Sequence, residues 1–323
     1  MNDNTTFIGI DISKSTFDVS IGGTKHLKFD NNRKGFNAFF DTLEEHHWCV
    51  MEATGSYHLN LACFLSNHDI QISVVNPLVI KRFAQMKLRT VKTDKADAEM
   101  IAQYGKEQSP ELWLPPSEYI FNCQQLESTI ALLIKQSTAL KNKIHNLESA
   151  DLVNKYALKS LKLQRKRTSV EILKLEKELE KLIKENEPEL FTNIKSIPGI
   201  GVKTAIKIIV ATGGFQYFEN AKQVISYFGL APSERSSGSS VRGSSRITKR
   251  GQSAIRNHLF MCSFTACQHN PQCKSLYDRI CAKGKSKKLA LIAVCNKLLK
   301  QAFAVAKSGI PYDPCYKNTA LLS

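Results

Sequence analysis

The chain opens with short apolar runs at strand-like spacing. "TFIGIDIS", "TFDVSIG" and "KHLKF", within residues 5–30, are rich in β-branched and aromatic residues with turn residues between them, and predict three strands. The pattern then changes. "GFNAFFDTLEEH" predicts an amphipathic helix, "WCVMEATG" a buried strand ending in Glu52, "YHLNLACFLSNH" a helix and "IQISVVN" another strand. "PLVIKRFAQMK" predicts a helix with Pro77 at its start, where a missing N–H costs nothing. "KTDKADAEMIAQYGK" predicts a helix capped by Thr93. The order βββαβαβα predicts an α/β domain of RNase H-like type over residues 1–108.

Residues 106–120 carry three prolines and read as a linker. Beyond it Leu126, Ile130, Leu133, Leu140, Ile144 and Leu147 form a heptad-like seam with Ser137 in the skipped position. Ile172, Leu175, Leu179 and Leu182 form another, and Pro188 ends the second long helix. Residues 109–188 are therefore expected to be a linker and coiled-coil helices. An internal hairpin and a dimerisation arm both satisfy such seams, because a seam does not say whose helix it packs on. Residues 189–323 read as a mostly helical C-terminal domain. No apolar run reaches the roughly 18 residues of a membrane span, and the N-terminus lacks the features of a signal peptide. A cytoplasmic protein with no membrane partner is expected.

Charge narrows the class. Lys plus Arg number 45 against 29 Asp plus Glu, a net charge of +16. Such a balance points to a polyanionic partner, nucleic acid before an anionic membrane surface, since no basic amphipathic anchor is present. Nine cysteines, an odd number, suit a reducing compartment. His258, Cys262, Cys267, His269, Cys273 and Cys281 crowd one region, but with no C-x-x-C pair their spacing matches no common zinc site. "NHLFMCSFTACQ" reads instead as a buried helix.

Four carboxylates stand out. Asp11 sits within the first strand, Glu52 ends a later one, and Asp94 and Asp97 share a helix face. An Asp inside "FIGIDIS" is costly to bury without a partner. Asp94 and Asp97 alone would be a solvated helix face. Together, in an RNase H-like sheet, the four form a hard-oxygen set for Mg²⁺ or Mn²⁺ and for phosphoryl transfer. "IGIDISKSTFDVSI" also resembles the first phosphate motif of actin-like sugar kinases, but no second Gly-rich hairpin or adenosine motif follows.

Two stretches of the C-terminal part suit nucleic acid. "IPGIGVKTA" places Gly199 and Gly201 before a helix with Lys203 nearby, the pattern of a helix-hairpin-helix turn contacting a phosphate backbone. A tight interhelical turn would look the same. "SERSSGSSVRGSSRITKRGQ", residues 233–252, sets serines among Arg235, Arg242, Arg246, Lys249 and Arg250. By composition alone it is a solvated basic loop. Lys283, Lys285, Lys287 and Lys288 read as further backbone contacts.

"IGIDISKSTFDV", "MEATGSY", "VVNP", "KTDKADAEMIA", "IPGIGVKTA", "FGLAP", "SGSSVRGSSRITKRGQ" and "SGIPYDP" occur in this order from residue 8 to about 314. Together they resemble the DEDD-type transposases of the IS-one-ten insertion-sequence family, which includes Piv-type DNA invertases and bridge-RNA-guided recombinases. The resemblance implies a RuvC-like N-terminal domain, a coiled-coil insert and a C-terminal transposase domain. It assigns the metal-binding acids to Asp11, Glu52, Asp94 and Asp97, and a serine nucleophile to Ser237. It further implies donor and target DNA as substrates, a structured noncoding guide RNA, a phosphoserine intermediate and a dimeric or tetrameric assembly acting at the bacterial nucleoid. A site-specific invertase shares this chemistry. A plain metal-dependent nuclease would not need Ser237, and a nonenzymatic nucleic-acid-binding protein would not need Asp11.

Overall fold

The computed structural model describes residues 5–88, 93–233, 246–249 and 251–315, and the backbone alone of 236–237 and 241–242. Two compact units divide the chain, Met1–Pro115 and Pro116–Ser323.

The first unit is a five-stranded mixed sheet with helices on both faces. Its strands are β1 (Thr6–Ile12), β2 (Thr16–Ile21), β3 (Lys25–Asp30), β4 (His47–Glu52) and β5 (Gln71–Val75). The spatial order is β3-β2-β1-β4-β5. The first three strands pair antiparallel, while β4 and β5 continue from β1 in parallel. This arrangement is compatible with an RNase H-like domain. The helices are α1 (Arg33–Phe40), α2 (Tyr57–Ser66), α3 (Pro77–Met86) and α4 (Asp94–Gln108). The predicted Thr93 cap is present, accepting from the Ala96 amide at the start of α4. Pro77 opens α3 as predicted, and Asn76 before it accepts from the Leu78 amide.

Strand alternation assigns each side chain of β1 to a layer. Ile8, Ile10 and Ile12 pack with Phe36, Phe39, Leu61 and Leu65 of α1 and α2. Phe7 packs on the other face, with Ile80 of α3 and Ile101 and Tyr104 of α4. Gly9 and Asp11 share that second face. The proline-bearing segment after α4 runs along the sheet edge: the Trp113 amide donates to the Ile72 carbonyl at 2.7 Å, and the Ser73 hydroxyl donates to the Glu111 carbonyl at 2.7 Å. Such a cover blunts an exposed strand edge.

The second unit is almost wholly helical. Long helices α5 (Glu118–Glu148) and α6 (Lys155–Asn186) pack on each other within the chain. The predicted seams lie at this contact: Ile130, Ile144 and Leu179 are buried, and Leu126, Leu133, Leu140, Ile172 and Leu175 half-buried. Of the two readings a seam allows, an internal hairpin is formed. There follow α7 (Pro188–Lys195), α8 (Val202–Thr212), α9 (Ala221–Tyr227), α10 (Ser253–His269), α11 (Pro271–Ala282) and α12 (Lys287–Ser308). Their core includes Ile197, Ile209, Phe215, Phe228, Leu259 and Leu298, with Cys262, Cys273 and Cys295 among them. One expectation is corrected here: by length and composition α12 is apolar enough to cross a membrane. Its Val294, Leu298 and Ala302 are instead core residues of this unit.

Candidate functional site: an acidic cleft and a serine-bearing hairpin

Asp11 lies two residues beyond Gly9 on β1, on the face covered by α4. A Cβ built on Gly9 would stand 2.0 Å from the Ala98 carbonyl oxygen and 2.3 Å from the Ala102 amide nitrogen. Only glycine permits that approach. Gly105 does the same from the helix side, where a Cβ would meet Phe7 and Val50 at 2.8 Å. With Ala98 over Gly9, the first turn of α4 falls beside Asp11. That turn carries Asp94 and Asp97. Acidic residues are favoured there by the helix dipole. Glu52 comes from the end of β4, the parallel neighbour of β1.

The four predicted acids are thus brought to one cleft of about 630 Å³. Asp11 registers their proximity. Burial, then Asp97, Asp94, Glu52 and Asp18, push its carboxyl up from 3.8 to about 6. Asp18 is its cross-strand partner and is itself bridged to Lys28 at 3.1 Å. Four mutually repelling carboxylates with hard oxygen donors fit a divalent cation such as Mg²⁺ or Mn²⁺. Sequence reading missed Lys81, Gln85 and Thr54, which line the same cleft. Pro77, Ile80, Lys81 and Ala84 follow helical spacing along α3, a signal visible only once that face is known to meet the acids.

Gly9→Ala is expected to push α4 off the sheet. Overpacking costs about 1–3 kcal/mol, and the obstructing atoms here are backbone, so the helix must shift. A lowered melting temperature checks this, and unchanged melting would refute it.

In the second unit, α7 and α8 join through the predicted glycine turn. Gly199 has φ +105°, and a Cβ there would meet the Ala266 Cβ at 2.7 Å. Gly201 caps α8, with open space around it. The turn and α10 flank a cleft of about 590 Å³. Lys203 is not free at the turn: its Nζ is 2.6 Å from Glu176 Oε1 of α6. His258 borders the cleft, its imidazole pushed below the usual range by burial and then by Lys207 and Lys203.

The Ser/Arg stretch, read from composition as a loop, contains two antiparallel ladders. β6 (Pro232–Ser233) pairs with β9 (Arg246–Ile247), and β7 (Ser236–Ser237) with β8 (Val241–Arg242). Ser237 is the cross-strand partner of Val241, and Ser236 of Arg242. Arg246 and Lys249 are exposed; Arg235 and Arg250 lie outside the described residues. The base is clamped to the end of α9. The Lys249 amide donates to the Gly229 carbonyl, and Arg256 Nη1 donates to the Phe228 and Gly251 carbonyls at 3.1 and 3.0 Å. Gly251, at φ +105°, sits where a Cβ would lie 2.1 Å from the Tyr227 carbonyl oxygen. "FGLAP" and "KRGQ" are therefore two halves of one anchor, which linear reading kept apart.

Residues 8–147 match a family model described as a transposase, of the DEDD type found in IS110. Residues 192–278 match the transposase family of IS116, IS110 and IS902. Among individual relatives, the pilin gene-inverting proteins of Moraxella bovis and Moraxella lacunata are each 33% identical over 322 residues. Those alignments cover 95% of this chain and 98% of the relative. The IS1111A transposase of Coxiella burnetii is 25% identical over 280 residues, 77% of this chain and 74% of its own length.

Proposed function

Since the chain belongs to the IS110 family of transposases and pilin gene-inverting recombinases, we propose that it cuts and rejoins DNA with Ser237 as nucleophile and Asp11, Glu52, Asp94 and Asp97 as metal-binding acids. The observation that carries the reading is the acid cleft, where Asp11, Glu52, Asp94 and Asp97 converge from three separated segments and burial, then the neighbouring carboxylates, raise Asp11 to about 6. When bound there, Mg²⁺ or Mn²⁺ supplies Lewis-acid polarisation of a phosphate oxygen.

The chain's own residues do the rest. Ser237 Oγ forms a bond to phosphorus as a bridging P–O bond breaks, giving up its proton to a base while the departing strand leaves as a hydroxyl. Attack by the hydroxyl of a new strand reverses these bonds and frees the serine. The number of phosphodiester bonds is conserved, so no nucleotide cofactor is needed. Serine is a weak nucleophile at neutral pH and requires such assistance. Arg235, Arg242 and Arg246 supply charge-assisted hydrogen bonds to the phosphate. Gly199, Gly201, Lys249 and Arg250 hold the flanking backbone, and Lys203 joins them when a phosphate displaces Glu176 from its ammonium. A noncoding RNA that pairs with DNA reads the sequence, which leaves mainly shape for the protein to read. The protein acts as a homo-oligomer.

Full-length likeness to the pilin gene-inverting proteins favours a second use of the same chemistry, site-specific inversion. One experiment tests the chemistry. Labelled DNA carrying either insertion-sequence ends or inverted sites is incubated with the protein and Mg²⁺, with bound RNA retained or digested, then denatured. Label on the protein with RNA retained is expected. Label that survives RNA digestion removes RNA guidance. Cutting without any adduct refutes the serine step and leaves a metal-dependent nuclease.

A further inference from the structure

A groove of about 750 Å³ runs between α11 and α12. Gln272, Ser275 and Arg279 form one wall, at spacings of three and four along α11. Ala293, Lys297 and Lys300 form the other, at four and three along α12. Each helix therefore turns one complete face to the groove. Every charged residue lining it is a cation.

These cations differ from others in the same unit. Lys203 and Lys207 are neutralised by Glu176 and Glu127 at 2.6 and 3.0 Å. Among the described residues, Arg279, Lys297 and Lys300 form no ion pair. Lys297 is half-buried as well. Cations gathered along one groove without carboxylate partners attract an anion together. α12 carries five lysines and no acidic residue, and the one acid of α11, Asp278, acts on Cys267 of α10.

The groove has a fixed end. Lys297 and Lys300 also border a smaller cavity of about 350 Å³, closed by Tyr312 and Asp313 of the "SGIPYDP" segment. That segment is pinned to α7: Asn193 Nδ2 donates to the Gly309 carbonyl at 2.8 Å, and the Tyr312 amide donates to Ser196 Oγ at 2.8 Å. The Tyr312 hydroxyl donates to Asn270 Oδ1 at 3.1 Å.

We infer that the α11–α12 groove binds the phosphodiester backbone of the DNA on which the chain acts, through Arg279, Lys297 and Lys300. Lys297 and Lys300 lie one turn apart on the same face of α12, so both can reach one phosphodiester backbone. The inference rests on the chain acting on DNA and not on the serine chemistry.

The test measures Kd for labelled duplex DNA, and for RNA of equal length, against salt concentration without Mg²⁺. Wild type is compared with Lys297→Gln/Lys300→Gln, with Lys297→Arg/Lys300→Arg, and with Lys300→Gln alone. For DNA, the double Gln variant is expected to lower the slope of log Kd against log salt by about two, and the Arg pair to keep it. If the double Gln variant fails to fold, the exposed Lys300→Gln alone is expected to lower the slope by about one. An unchanged DNA slope in folded Gln variants overturns the inference, even if the RNA slope falls. Binding is read without cutting, so absence of a protein–DNA adduct would leave this result standing.

Discussion

Ser237→Ala is expected to abolish the protein–DNA adduct and to lower strand exchange by at least about 10³-fold, the scale seen when an enzyme loses its nucleophile. Binding should survive. The substitution removes one hydroxyl, while Ser237 meets Val241 through the backbone. The clamp at the hairpin base, made by Arg256, Gly229 and Gly251, does not involve it. The serine-rich context makes neighbouring controls essential. Ser236→Ala, Ser239→Ala and Ser240→Ala should each retain the adduct. Denaturing gels with end-labelled DNA read the adduct, and anisotropy reads binding. An adduct that persists in Ser237→Ala but disappears in a neighbour would move the nucleophile. Undiminished cutting in all four would remove serine chemistry altogether.

Asp11→Asn is expected to have two opposite effects. Under the proposed mechanism strand cutting should fall by at least about 10³-fold, because the remaining acids would hold a metal ion less well. The metal-free protein should become more stable. The native carboxyl titrates near 6 against 3.8 for the free group, so the folded state binds its proton more tightly than the unfolded state. Stability therefore falls as pH rises from about 4 to about 6, and the whole penalty is present at neutral pH. The full shift corresponds to about 3 kcal/mol. Asp11 is only partly buried, so solvent screening reduces the expected gain in Asp11→Asn to about 1 kcal/mol, or a rise of a few degrees in melting temperature. Melting at pH 5 and pH 7.5, with and without Mg²⁺, checks the sign. Wild type should gain stability from Mg²⁺, and the variant should gain less. A variant less stable than wild type at pH 7.5 without metal would show that Asp11 is a structural carboxylate.

Much of this protein is legible along the chain because local rules are strong. β-Branched runs and turn residues mark the strands, Pro77 opens α3, Thr93 caps α4, and the seam from Leu126 to Leu147 is readable from its spacing. The chemical identity of the acids is equally plain, since an Asp within an apolar strand demands an explanation.

What tertiary structure alone decides is which faces meet. Asp94 and Asp97 are an ordinary solvated turn until Gly9 and Gly105 let α4 settle on β1. The raised carboxyl of Asp11 comes from burial first and then from the fields of acids up to 86 positions away in sequence, and no local pattern contains it. A seam is silent about its partner, and here α5 and α6 satisfy each other. The serine-rich stretch shows no apolar alternation, so its pairing was hidden; a backbone ladder needs no particular side chains. Lys297 and Arg279 become one cationic groove only when α11 and α12 lie side by side. Periodicity along a chain records which side of each element avoids water. Which buried or charged sides face one another is set by packing between distant segments.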